Sequence, residues 1–149
     1  MPTARRPGFP GYGITEEPEG LLPWEWATER LEQARNYWVS TSRADGSPHA
    51  MPVWGIWVSD AFVFGTGGRK RKNLEHDPRV VVHLESGDEV VVLEGTAEPL
   101  VATDALSQTY NAKYRFGLDP GSDAWIVHPR LAYAWRERDY PQSATRFDF

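Results

Sequence analysis

Four consecutive cations, Arg69-Lys70-Arg71-Lys72, follow Gly65-Thr66-Gly67-Gly68 and form the densest chemical signal in this 149-residue chain. A helix predicted over Arg69 to His76 carries about half a positive charge and unpaired N–H groups at its first turn, so four further cations there are unfavourable unless an anion binds. Phosphate meets that demand, because backbone N–H groups and Lys and Arg side chains can all donate to it, and Asn73 adds one more donor. A solvated basic helix start is the plain alternative. A nucleic-acid patch is a third, set against a net charge of −5 on the whole chain.

Other chemistries find no support in the residue pattern. There are no cysteines, which removes thiolate catalysis, disulfides and every Cys-containing zinc site. His49, His76, His83 and His128 show no metal-ligand spacing, and no metal is expected. Neither a G-x-S-x-G elbow nor a Walker A loop nor a complete G-x-G-x-x-G occurs, so hydrolase and Rossmann readings drop out and no side chain stands out as an acid or base. Trp38, Trp54, Trp57, Trp125 and Trp135 fall in predicted strands, where they serve as core or interface packing or as the cover of a planar cofactor ring. A phosphate site beside many aromatics suits a phosphorylated aromatic cofactor better than side-chain acid–base chemistry.

The elements that must position these residues are mostly strands. The 13 glycines, 12 prolines and 19 aromatics favour a turn-rich β protein over a helical bundle. Residues 1–23 read as an extended arm without periodicity, and residues 24–149 as one domain. Helical spacing runs over about 24–35. Strands are predicted at Asn36–Ser42, His49–Val58, Ala61–Thr66, Arg79–Glu85, Glu89–Pro99, Ala124–His128 and Leu131–Arg136, with a further helix at Ala105–Phe116 capped by Thr103-Asp104. Asp45-Gly46 is a hairpin turn signal. Six or seven strands, mostly in hairpins, hide their edges best in an antiparallel barrel. No apolar run approaches the roughly 18 residues of a spanning helix, and Met1 to Gly8 lack the apolar stretch of a secretory signal, so a cytoplasmic protein without membrane attachment is expected.

Several motifs, taken in order, carry a family likeness. Tyr37-Trp38-Val39-Ser40-Thr41-Ser42, Asp45-Gly46-Ser47-Pro48-His49, Pro52-Val53-Trp54-Gly55, Gly65-Thr66, Lys70-Arg71-Lys72-Asn73-Leu74, Asp77-Pro78-Arg79-Val80, Val91 to Ala97 and Ser143 to Phe149 resemble the split-barrel flavin and deazaflavin oxidoreductases, relatives of pyridoxamine 5'-phosphate oxidase. The resemblance implies a six-stranded antiparallel split β-barrel that forms a homodimer, with FMN or the deazaflavin F420 between subunits. It places the phosphate at Lys70 and Lys72 with Arg69 and Asn73 beside them, and a strand-end hydroxyl, Thr66, nearby. The ring edge would lie along Met51, Pro52, Val53 and Trp54, and the C-terminal part would contribute Trp135 and Arg146. Pyridoxamine phosphate oxidases carry an Arg-x-x-Leu-Leu-Lys segment and a C-terminal Arg-Leu-His. Here Met51 to Ile56 and Thr145-Arg146-Phe147 stand instead, which points away from vitamin B6 oxidation and toward the probable F420-dependent branch. The expected activity is hydride transfer between the cofactor and a small conjugated substrate. The alternative is a non-catalytic flavin or haem carrier on the same barrel.

Overall fold

The computed structural model describes residues 1–65 and 68–149. Among them nine strands form one antiparallel sheet, with small helices packed against it. In chain order these are β1 (Thr3–Arg5), α1 (Trp24–Gln33), β2 (Tyr37–Ser42), β3 (Pro48–Val53), β4 (Ile56–Val58), β5 (Ala61–Phe64), α2 (Gly68–His76), β6 (Arg79–His83), β7 (Glu89–Val101), α3 (Asp104–Tyr114), β8 (Asp123–Arg136), α4 (Tyr140–Ser143) and β9 (Thr145–Asp148). The strand path β1-β9-β8-β7-β6-β2-β3 does not close on itself, and β5 adds to β8 while pairing β4, giving a split barrel. The count exceeds the expected six or seven through the short β1, β4 and β9.

Alternation along the strands separates two faces. One ladder row runs through Met51, Val39, Val82, Leu93, Ala132 and Phe147, and its members from Val39 onward are all but fully buried. The neighbouring row, Pro52, Trp38, His83, Val92, Tyr133 and Arg146, lies on the outer face. Helix α1 buries Trp24, Ala27 and Leu31 against the inner side, and the Trp24 indole donates to Asp60 Oδ1 at 3.0 Å.

Two sequence expectations need correction. Ala124–His128 and Leu131–Arg136 form one strand, β8, because the pairing with β7 shifts register between Glu94 and Gly95. Arg130 is the extra residue of that bulge, and Pro129, which has no N–H, sits opposite Gly95. A Cβ on Gly95 would collide with the His128 carbonyl oxygen.

The run His49–Val58 instead breaks at Trp54-Gly55 into β3 and β4. Buried Gly55 spends its polar groups on α3. Its N–H donates to the Tyr114 hydroxyl at 3.0 Å, and its carbonyl accepts from Lys113 Nζ at 3.1 Å and lies 2.8 Å from the same hydroxyl. Backbone groups committed this way cannot continue a ladder.

The first 23 residues fold back on the C-terminal part of the chain. β1 pairs β9 from Thr3↔Asp148 to Arg5↔Arg146. The Arg6 guanidinium donates to the carbonyls of Glu17, Glu19, Gln142 and Ala144. Buried Leu22 donates its N–H to Thr145 Oγ1 at 2.9 Å.

Gly55 is a joint with no room for a side chain, since an added Cβ would overlap the Phe62 ring and lie 2.9 Å from the Val63 carbonyl oxygen. Gly55→Ala is expected to lower unfolding free energy by about 1–3 kcal/mol, as overpacking does in close-packed interiors, measured by urea denaturation.

Candidate functional site

Among the described residues, helix α2 is fastened to the barrel by a buried hydrogen bond from Asn73 Nδ2 to Thr41 Oγ1 at 3.0 Å. That bond fixes which cations face the sheet. At about 100° per residue, Arg69 and Lys70 lie within about 60° of Asn73, Lys72 lies about 100° away and Arg71 is nearly opposite. Arg71 is exposed and pairs with Glu75 at 3.1 Å, and Lys72 is exposed. The structure therefore brings Arg69, Lys70 and Asn73 to one corner and turns Lys72 toward its rim. Thr66 lies outside the described residues.

Strand register supplies two members that motif reading missed. Thr41 pairs with His49, so the His49 side chain shares the face that receives Asn73. His49 Nδ1 is buried and has no hydrogen-bond partner among the described residues. Burial, with the positive charges of Arg43, Lys70 and Arg69, holds the imidazole pKa below its ordinary value. Arg43 is positioned by the β2–β3 turn, where it donates to the Pro48 carbonyl at 2.6 Å. The turn itself is closed by Asp45, which accepts from Ser47 N–H and Oγ, with Gly46 at φ +85°. Spacing alone could not have flagged His49 or Arg43; the pairing of β2 with β3 does. None of Arg43, Arg69, Lys70 and Lys72 has a salt bridge among the described residues.

Met51, Pro52 and Val53 continue along the same strand. β3 ends the sheet path, so alternate backbone N–H and C=O groups on its outer edge have no strand partner among the described residues. Met51 is 47% exposed on the His49 face. Trp54 turns away: its ring stacks on Tyr114 at 4.6 Å and 5°, with the Arg35 guanidinium 5.1 Å from its centroid.

Trp135 and Arg146 lie elsewhere in the protomer. Arg146 is five strands from Pro52 in the ladder, about 24 Å along the curved sheet at the usual strand spacing. Its Nε donates to Asp148 Oδ1 at 2.8 Å, and Arg5 engages the other carboxylate oxygen at 2.5 Å. Trp135 meets Tyr140 edge-on at 5.5 Å and lines a recess of about 440 Å³ with Phe9, Tyr12 and Tyr140. Between these places, the outer sheet face carries a groove of about 650 Å³ lined by Ser40, Ser42, Arg79, Val81, Glu94 and Thr96 among others. Arg79 is engaged at its rim by Asp77, whose carboxyl is held at about 2 by those hydrogen bonds.

Among the described residues no group of three or more His, Asp or Glu side chains converges as metal ligands, and no helix is long and apolar enough to cross a membrane.

Comparison with known proteins places the fold. No curated protein sequence matches the chain. A conserved hypothetical protein from Mycobacterium tuberculosis superposes with a TM-score of 0.68 at 20% identity, covering 84% of this chain and 91% of the other. A FAD-binding protein from Mesorhizobium loti gives 0.61 at 18% identity, covering 86% and 96%. An F420 reductase gives 0.57 at 21% identity, covering 70% and 93%. These likenesses establish a common fold. The family model described as Pyridoxamine 5'-phosphate oxidase matches residues 24–136, and the chain belongs to that family.

Proposed function

We propose that this protein is a homodimeric oxidoreductase that binds FMN or F420 and transfers a hydride to or from a small conjugated organic substrate. The observation that carries the reading is the corner at Asn73, where the charges of Arg43, Lys70 and Arg69 act on an imidazole whose buried Nδ1 has no hydrogen-bond partner among the described residues. Cations without salt bridges among the described residues, an orphaned ring nitrogen and a strand edge with free polar groups fit the phosphate and ring edge of such a cofactor. The F420 reductase and the FAD-binding protein on the same fold favour the same ligand class.

When bound, either cofactor supplies a ring that accepts or gives up a hydride. The chain's own residues do the rest. Arg69, Lys70 and Arg43 neutralise the phosphate, and His49 donates to it. Asn73 holds α2 at the distance that lets them converge. Backbone groups of Met51 and Val53 orient the ring edge, while Lys72 stands at the rim. Trp135 and Arg146 are too far along the same sheet to join this corner within one protomer, so their part in cofactor binding rests on the proposed dimer.

Fluorescence and absorbance titrations with FMN, riboflavin and F420 test the assignment. Arg69→Ala combined with Lys70→Ala is expected to cost about 1.5–3 kcal/mol of FMN affinity per lost charged hydrogen bond, with riboflavin binding unchanged and Lys72→Ala milder. Asn73→Ala should lower stability by about 1–3 kcal/mol, because Thr41 loses its buried partner, and should weaken FMN binding as α2 loosens. Tight binding without turnover of any reduced cofactor makes the protein a carrier. A dimer that binds neither FMN nor F420 at micromolar concentration ends the flavin reading.

A further inference from the structure

The outer sheet face carries a recess whose walls are aromatic. Tyr133 and Trp135 stand two residues apart on β8 and therefore face the same way. Phe9 rests on the Tyr133 ring with centroids 5.0 Å apart, Tyr12 meets Phe9 edge-on at 6.3 Å, and Tyr140 meets Trp135 edge-on at 5.5 Å. Phe9, Tyr12, Trp135 and Tyr140 line a volume of about 440 Å³, within the roughly 300–1,000 Å³ of small-molecule sites.

The segment that brings Phe9 and Tyr12 to β8 is held at both ends. Before it, the Arg6 guanidinium donates to four backbone carbonyls. After it, the Thr15 N–H donates to the Pro141 carbonyl at 3.0 Å. Tyr12 lies between Gly11 at φ +83° and Gly13 at φ +70°, a left-handed backbone that glycine adopts without strain. A pinned turn thus presents a large ring that is 67% exposed. Burial, with Tyr12 close by, pushes the Tyr140 phenol above its ordinary pKa, so it stays neutral.

Ring geometry and charge select the ligand. The Phe9–Tyr12 and Trp135–Tyr140 pairs stand at 68° and 85°, which makes a cage, whereas a flat ring is held best in a slot of parallel faces. Elsewhere the chain sets its own cations over aromatic faces, with Arg30 3.8 Å from the Trp26 ring centroid, Arg35 5.1 Å from that of Trp54 and Lys113 4.8 Å from that of Tyr37. Among the described residues no Arg or Lys does so for the four rings of the recess. Arg136, next to Trp135, is turned to Asp139 at 2.7 Å. The negative ring faces are left to attract a cation from solution. No carboxylate lines the recess among the described residues, so a primary ammonium would lose hydrogen bonds there, and a trimethylammonium group has no N–H to lose.

We propose that this recess binds a free small molecule bearing a trimethylammonium group, caged by the rings of Phe9, Tyr12, Trp135 and Tyr140. The site is built within one protomer and does not rest on the cofactor reading. The net charge of −5 on the chain also favours a cationic ligand.

Proton NMR titration of the full chain with choline tests this, because ring currents inside an aromatic cage move the N-methyl signal upfield. A saturable upfield shift is expected. The neutral isostere 3,3-dimethylbutan-1-ol should bind about fivefold more weakly, the difference that the cation makes. Ethanolamine, which keeps its N–H groups, should bind more weakly than choline too. Tyr12→Leu, at an exposed position, should weaken choline severalfold, and Tyr12→Phe should restore it to within about twofold, since the ring face and not the hydroxyl is used. Phosphatidylcholine vesicles should not sediment the protein. Equal binding of the neutral isostere or of ethanolamine, no saturable shift, indifference to Tyr12→Leu, or cosedimentation with the vesicles would each overturn the proposal.

Discussion

The barrel depends on a close approach of two backbones, the His128 carbonyl against Gly95. Without a side chain at Gly95 the extra residue Arg130 can be absorbed, and β8 continues for fourteen residues instead of stopping at Pro129. A strand of that length offers one edge to β7 throughout and divides its other edge between two partners. Phe62–Phe64 of β5 take the first half, and Thr145–Asp148 of β9 take the second. The core ring of Phe62, Phe64, Trp125, Val127 and Phe147 is assembled by that division. Two shorter strands could each hold one partner, but nothing would fix their mutual angle.

Electrostatics imposes the second constraint. A chain with a net charge of −5 concentrates cations at the start of a helix whose first turn has no acidic residue. Like charges there destabilise the helix end, and the Asn73–Thr41 bond with Leu74 packed beneath holds it in place regardless. Stability contributed by the core is thereby used to maintain an electrostatically unfavourable corner. Such local conflict between charge and fold is what the proposed phosphate site would relieve.

Much of the strand order was legible because period-two alternation and turn residues are local. YWVSTS, the Asp45-Gly46 turn and VVLEG all speak for themselves. The two breaks that failed are non-local. PVWGIWV is continuous in apolarity, and the Tyr114 hydroxyl and the Lys113 Nζ, some sixty residues on, divert the Gly55 backbone. Pro129 reads as a strand end until Gly95 is set opposite it. The cation run was visible in composition, but its facing was not. Lys72 and Lys70 are equivalent in a motif and about 160° apart around a helix. His49 joins the corner through register with Thr41, a relation that exists after β2 and β3 have paired.

The pairing of β1 with β9 joins the two ends of the chain and lets the Arg5 side chain bond Asp148, 143 positions away. A contact of that separation closes nearly the whole chain into a loop, so it gains little until the barrel is already formed. It is also slight, three residues long and exposed on β1. In the hierarchy of local unfolding it belongs to the low-energy end, detaching while β6, β7 and β8 stay intact. Phe9 and Tyr12 hang from the same segment, and Phe9 rests on Tyr133 with ring centroids 5.0 Å apart. Amide exchange in the N-terminal segment and solvent entry to the Trp135 recess are thus two readings of one equilibrium, the fraying of a clasp.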